Sequence, residues 1–126
     1  MAASKRYLSF IDARPFAAAW NDLGLTDDDH ADLEDKILTG PLRPPVIPGT
    51  HGVRKLRYAP PSWNRGKRGA LRVCYVCFLN LGTIVLLTAY PKNVKDTLTA
   101  ADTENIDRAV KAFRYALANF RRRGKE

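Results

Sequence analysis

The chain holds only two cysteines and two histidines in 126 residues, and it has no long hydrophobic run. Each shortage removes a class of protein. Two thiols cannot supply a disulfide framework. His30 and His51 stand alone, without the paired spacing of a zinc site. The longest apolar stretch, Thr83 to Ala89, is strand length and far below the roughly 18 residues that span a bilayer. The polar sequence after Met1 has no signal-peptide core, so a cytoplasmic location is expected, with no membrane partner. At 45% hydrophobic and 27% charged residues, the composition is that of a folded globular chain and not of a disordered one. Residues 1–126 read as a single domain, long enough to bury a core.

The most informative absence is of negative charge. No acidic residue lies between Asp35 and Asp96, while the same stretch carries Lys36, Arg43, Arg54, Lys55, Arg57, Arg65, Lys67, Arg68, Arg72, Lys92 and Lys95. The acids are concentrated elsewhere, six of them between Asp27 and Asp35. With a formal net charge of +8, this distribution favours a polyanionic partner. A solvated basic face is the plainer alternative.

Cys74 and Cys77 form a C-x-x-C within LRVCYVCFL, an aromatic and β-branched segment that reads as a strand. Residues three apart on a strand point to opposite faces. The pair is therefore expected as free thiols, neither bridged nor chelating.

A short strand is expected at Tyr7 to Ile11. Asp12 and Pro15 suit the start of a helix that buries Phe16, Trp20 and Leu23 and stops at Gly24. Thr26 reads as the N-cap of a second helix, whose first-turn acids suit the positive end of the helix dipole. Leu33, Ile37 and Leu38 form its apolar stripe, and His30 is expected at the surface or in a cap. Four prolines between Pro41 and Pro48 make the next segment a loop. Strands follow at Val53 to Ala59, Leu71 to Leu79 and Thr83 to Tyr90, the last two joined as a hairpin by Asn80 to Gly82. Thr99 caps a final helix with Ile106, Val110, Phe113, Leu117 and Phe120 as its buried stripe. The expected fold is α+β: a helical hairpin and a C-terminal helix packed on one face of a small antiparallel sheet.

On the strands, Lys55 and Arg57 are two apart and share a face, with Arg54 and Leu56 on the other. Arg72 opens the next strand, Lys92 and Lys95 follow the last one, and Arg65, Lys67 and Arg68 sit in the loop between. Such a cluster grips phosphates, Arg in bidentate fashion and Lys as a point charge. It also suits RNA cleavage without a cofactor or metal. RNA carries its own nucleophile, the 2′-hydroxyl, and cations aimed at the phosphate stabilise the charge that builds there. A lysine crowded by other cations is a candidate acid or base. Tyr90 or Tyr75 is a candidate to stack on or orient a base.

Three segments carry a resemblance. GTHGVRKLRY at 49–58, GKRGALRVCY at 66–75 and LLTAYPKNVKDTLT at 86–99 resemble, in order, three stretches of HigB-like toxins in the RelE superfamily. The likeness spans roughly residues 10 to 115. Val94 stands where these toxins usually carry an acid, and their late catalytic aromatic has no clear match, leaving Tyr90 as the substitute.

The resemblance implies the toxin half of a type II toxin–antitoxin pair: a RelE-like fold and a metal-independent endoribonuclease, an mRNA interferase that inhibits translation, usually on the ribosome. It implies a catalytic set of Lys55, Arg57, Arg72, Lys92 and Tyr90. In it Arg72 stabilises transition-state charge and Lys55 or Lys92 moves the proton. Arg54, Arg65, Lys67, Arg68 and Lys95 are the flanking RNA-binding candidates. The implied partners are mRNA, the ribosome and a cognate antitoxin, often a helix-turn-helix protein. The alternatives are a ParE-like toxin acting on DNA gyrase, an inactive toxin remnant, and a non-catalytic RNA- or ribosome-binding module.

Overall fold

Strand β1 (Ser9–Asp12) leads directly into helices α1 (Arg14–Asp22) and α2 (Asp27–Thr39). The proline loop reaches β2 (Arg54–Tyr58), then β3 (Leu71–Phe78), a 3-10 turn at Leu79–Leu81, β4 (Thr83–Pro91) and helix α3 (Ala100–Gly124). These come from a computed structural model that describes residues 9–63, 70–92 and 98–124, the last four without their side chains. Arg65, Lys67, Arg68, Val94 and Lys95 lie outside the described residues, as do Tyr7 and Leu8. The fold is α+β, with three helices and a four-stranded sheet among the described residues.

Local chemistry sets the helix boundaries. Pro15 occupies the first turn of α1, where its missing N–H costs nothing. Gly24, at φ +69°, turns the chain out of that helix. At the start of α2, Asp29 N–H donates to Thr26 Oγ1 at 3.0 Å and Thr26 N–H donates back to Asp29 Oδ2 at 3.1 Å. Thr99 and Asp102 repeat this reciprocal pair at the start of α3, both at 3.0 Å. Each box satisfies two backbone donors that a helix start otherwise leaves exposed.

The sheet order is β1-β4-β3-β2. β2, β3 and β4 pair antiparallel, but β1 runs parallel to β4, with Ser9 opposite Thr83 and Asp12 opposite Leu86. The sheet is therefore mixed and not purely antiparallel. Strand periodicity reports faces, not direction, and β1 pairs with a strand more than 70 residues further along the chain.

The helices also occupy both faces of the sheet, not one. Phe16, Trp20, Leu33 and Ile37 from α1 and α2 cluster with Leu71, Val73, Tyr75, Ile84 and Leu86. Ile106 and Val110 from α3 cluster with Cys74, Val76, Phe78, Val85 and Leu87. Residues of β3 and β4 alternate between these two cores. A strand buried on both faces reads as a continuous apolar run and not as an alternating one, which is the pattern of Thr83 to Ala89.

Ile106 and Val110 of α3 are buried and Phe113 and Leu117 half-buried, but Phe120 is 75% exposed. The apolar stripe thus leaves the core before its last expected member. A helix of 25 residues runs about 37 Å, whereas the nine residues of β4 span about 30 Å, so the helix outruns the sheet.

The α1/α2 side is tied by polar groups as well. Trp20 stacks on Phe16 with ring centroids 5.1 Å apart, and its indole N–H donates to Thr26 O at 3.2 Å. Tyr58 donates its buried hydroxyl toward Asp29 O and Asp32 Oδ2. Asp29 additionally accepts from Ser62 N–H at 3.1 Å and from the Ser62 hydroxyl at 2.6 Å. His30 is neither a cap nor a free surface group. Its Nε2 meets Asp12 at 3.0 Å and its Nδ1 meets Glu34 at 3.3 Å, while its ring lies edge-on to Phe16 and Trp20.

Candidate functional site

The proline loop does not wander. Ile47 N–H donates to Val53 O at 2.8 Å, Lys55 N–H donates to Pro45 O at 3.1 Å, and Val46 bridges Arg54. The loop thus runs along the outer edge of β2 and covers it, as exposed strand edges require. Its return is made through Gly49, His51 and Gly52, all at positive φ, around a buried Thr50. The Thr50 hydroxyl donates to Ile47 O at 2.6 Å and accepts from Val53 N–H at 3.2 Å.

This fixes β2 against β3 in a register that brings the cations together. Arg57 lies opposite Arg72, and Arg72 lies opposite Tyr90 on β4. One rung along, Lys55 lies opposite Cys74, and Cys74 opposite Thr88. Lys55, Arg57, Arg72 and Tyr90 therefore share one face of three adjacent strands, each about 4.8 Å from the next. Lys92 follows at the end of β4, half-buried, its N–H donating to Ala70 O at 3.1 Å.

Lys55, Arg57 and Arg72 line a groove of about 520 Å³ together with Lys36 of α2 and Arg43 of the loop. Leu56 lines it too, from the opposite face of β2, so the groove follows the edge of that strand. No acidic side chain is among its described lining residues. Arginines paired across neighbouring strands bring like charges onto one face, an unfavourable term that a bound anion would offset.

Lys36 and Arg43 are members of the groove that sequence reasoning did not assign to the site. Their signal was the acid-free stretch that contains them both. Arg43 folds over Gly40, where an added Cβ would stand 3.2 Å from its Nε. Arg54 does not join the groove. Its Nη1 donates to Leu42 O at 2.8 Å and to Pro44 O at 2.6 Å, which pins the loop from the other side of β2.

The remaining candidates sort by face. Tyr75 is fully buried in the α1/α2 core, its hydroxyl donating to Pro41 O at 2.8 Å, so it is not available to stack on a base. Tyr90 is half-buried on the α3 side. Its buried hydroxyl lies beside the Cys74 thiol. Burial pushes that thiol up to about 11, against the opposing pull of the Lys55 ammonium and of Tyr90. Cys77, on the other face, is likewise raised by burial to about 11. Both thiols are free and remain protonated at neutral pH, which removes thiolate chemistry from the site. Neither histidine lines the groove. His30 is held as described above, and His51 Nδ1 meets Asp107 of α3 at 2.6 Å.

A second hollow, about 370 Å³, opens on the same sheet face between the start of α1 and α3. A bulge creates its floor. The partners of Cys74 and Tyr75 are Thr88 and Leu86, so Leu87 is the extra residue of β4. Leu87 and Thr88 both line the hollow, with Tyr90 at its side.

The described residues hold no cluster of three or more His, Cys, Asp or Glu fit to hold a metal. No described helix is long and apolar enough to cross a membrane. No protein-family model matches the chain.

Proposed function

We propose that the chain is a HigB-like toxin of the RelE superfamily, an endoribonuclease that cuts mRNA, most often on the translating ribosome, and is neutralised by a cognate antitoxin in the cytoplasm. The observation that carries this reading is the row Arg57–Arg72–Tyr90 with Lys55 one rung along, bordering a groove without lining acids. A ribonuclease that lacks usable histidines needs such an arrangement. The substrate's 2′-hydroxyl attacks the adjacent phosphorus, and the 5′-oxygen leaves. Arg72, half-buried and set between Arg57 and Tyr90, is placed to meet the extra charge on the phosphoryl oxygens. Lys55 is the candidate to exchange protons with the attacking or leaving oxygen, with Lys92 the alternative at the strand end. Arg57, exposed beside the groove, and Lys36 and Arg43 on its far wall hold flanking phosphates.

Expression of the chain alone in a bacterial host, followed by primer extension on abundant mRNAs, tests this. Growth arrest with discrete new 5′ ends supports the proposal, and repeating the experiment with translation blocked reports ribosome dependence. Arrest with intact mRNA replaces the reading with a gyrase-directed toxin. Absence of both arrest and cleavage leaves a binding module or an inactive toxin.

A further inference from the structure

The hollow between α1 and α3 has an apolar floor and wall of Leu87, Ile106, Ala109 and Phe113. Its rim is polar: beside two donors stands the Asp102 carboxylate, one oxygen of which accepts from Thr99 N–H at 3.0 Å. Arg14 stands at the start of α1, and Asn105 projects from α3. The Asn105 carbonyl oxygen already accepts from Arg108 Nη1 at 3.2 Å, so its amide nitrogen is the end that remains for a ligand. An aliphatic side chain would use the floor and none of this rim. A flat heterocycle with carbonyl and ring-nitrogen acceptors on its edge uses both.

Position adds a second argument. Tyr90 lines this hollow and lies directly opposite Arg72, which lines the cationic groove. The nearest lining residues of the two cavities thus sit on adjacent strands, whose backbones run about 4.8 Å apart. That is the scale on which a nucleotide's base stands off from its phosphate. At about 370 Å³ the hollow is within the range of small-ligand sites and is large enough for a purine.

We infer that this hollow is a nucleobase subsite, taking one unstacked base next to the phosphate held by Lys55, Arg57 and Arg72. The inference rests on the RNA-binding reading above and adds where the substrate's base is held. Apolar contact with Phe113 and Leu87 would supply sequence-tolerant affinity. Arg14 and Asn105 would favour bases that present acceptors on the inserted edge.

The test uses a 2′-O-methyl RNA trinucleotide, which lacks the nucleophile and cannot be cut. Its affinity for the full chain is compared with those of three versions made abasic at each position in turn. One abasic version is expected to bind about tenfold or more weakly, the range set by loss of a single stacked base. Ala109→Leu, which fills the hollow with a good helix former, is expected to erase that difference while leaving affinity for the abasic ligand unchanged. Phe113→Ala is expected to shrink the same ratio by removing the stacking surface. Equal affinity for the intact and all abasic ligands overturns the subsite while the phosphate grip stands. The hollow is then a seat for an apolar side chain of a protein partner. A base preference that survives Ala109→Leu places base recognition elsewhere and also overturns it. Failure of every trinucleotide to bind overturns both the subsite and the RNA reading.

Discussion

The two faces of one sheet have been put to opposite uses. On the α1/α2 face the groups are paired with one another. Phe16 stacks on Trp20, Trp20 lies against Tyr58, and Asp29 accepts hydrogen bonds from Thr26 and Ser62 at once. On the α3 face, arginine stands opposite arginine, and an apolar hollow remains open beside them. The first arrangement stabilises the fold with what the chain itself contains. Under the proposed function, the second is completed by an anionic, planar ligand. β3 belongs to both faces, so Val73 and Tyr75 anchor the strand that aims Arg72 and Cys74 the other way.

The sharpest way to test that division is to damage each face and read both stability and activity. Phe16→Ala empties the centre of the paired face, where Phe16 is fully buried. It is expected to lower unfolding free energy by about 3–5 kcal/mol in denaturant titration. Arg72→Ala strikes the other face. Its expected cost is about 10²–10³-fold in RNA cleavage, the scale of one lost donor to developing oxyanion charge. The same variant should shift the denaturation midpoint far less than Phe16→Ala does. If Arg72→Ala instead unfolds the protein while Phe16→Ala only slows cleavage, the division of labour is wrong.

Much of the paired face was legible because its signals are local. The Thr26 box, Pro15 and the Phe16/Trp20 spacing each sit within a few residues and appear where expected, as does the equally local Thr99 box of α3 on the other face. Strand parity also put Lys55 and Arg57 on one face and Cys74 and Cys77 on opposite faces, while Arg72 joins the pair through the β2–β3 register. The same parity separates Tyr75 from Arg72, three residues away, and buries it on the other face. Other features have no local signal. The parallel partner of β1 lies more than 70 residues on. Lys36 and Arg43 reach the groove only because the proline loop doubles back on β2. The hollow depends on a one-residue bulge at Leu87 that no alternation pattern announces.

The paired face also holds a buried acid-sensitive group. Burial raises the Asp29 pKa, but hydrogen bonds from Ser62 and Thr26 outweigh it, so the carboxyl lies below its ordinary 3.8. A carboxylate lowered by folding contributes stability that is present above its unfolded value and lost as pH falls through the folded value. The denaturation midpoint is therefore expected to fall on acidification below about pH 4. Asp29→Asn should cost about 1–3 kcal/mol at neutral pH, as buried partners lose a charged acceptor, and should flatten the acid dependence. An unchanged acid profile in the variant would assign the loss to other carboxylates.

The smallest expected effect is the one that best distinguishes the two kinds of face at a single residue. Lys36 is exposed and is the only basic residue in the last turn of α2, where a cation stabilises the helix dipole. That role alone predicts a loss of about 0.3–1 kcal/mol in Lys36→Ala and no change in RNA affinity. Lys36 also lines the cationic groove. As a phosphate contact it should, on removal, weaken RNA binding a few-fold, equally across sequences, and reduce the slope of log affinity against log salt by about one. Measuring that slope for the wild type and Lys36→Ala separates the roles, because the dipole term acts on folding and leaves the slope untouched. A reduced slope would extend the anion-binding surface beyond the sheet to the end of α2. An unchanged slope would confine it to the cations of β2, β3 and the loop, and would return Lys36 to the side of the molecule that stabilises itself.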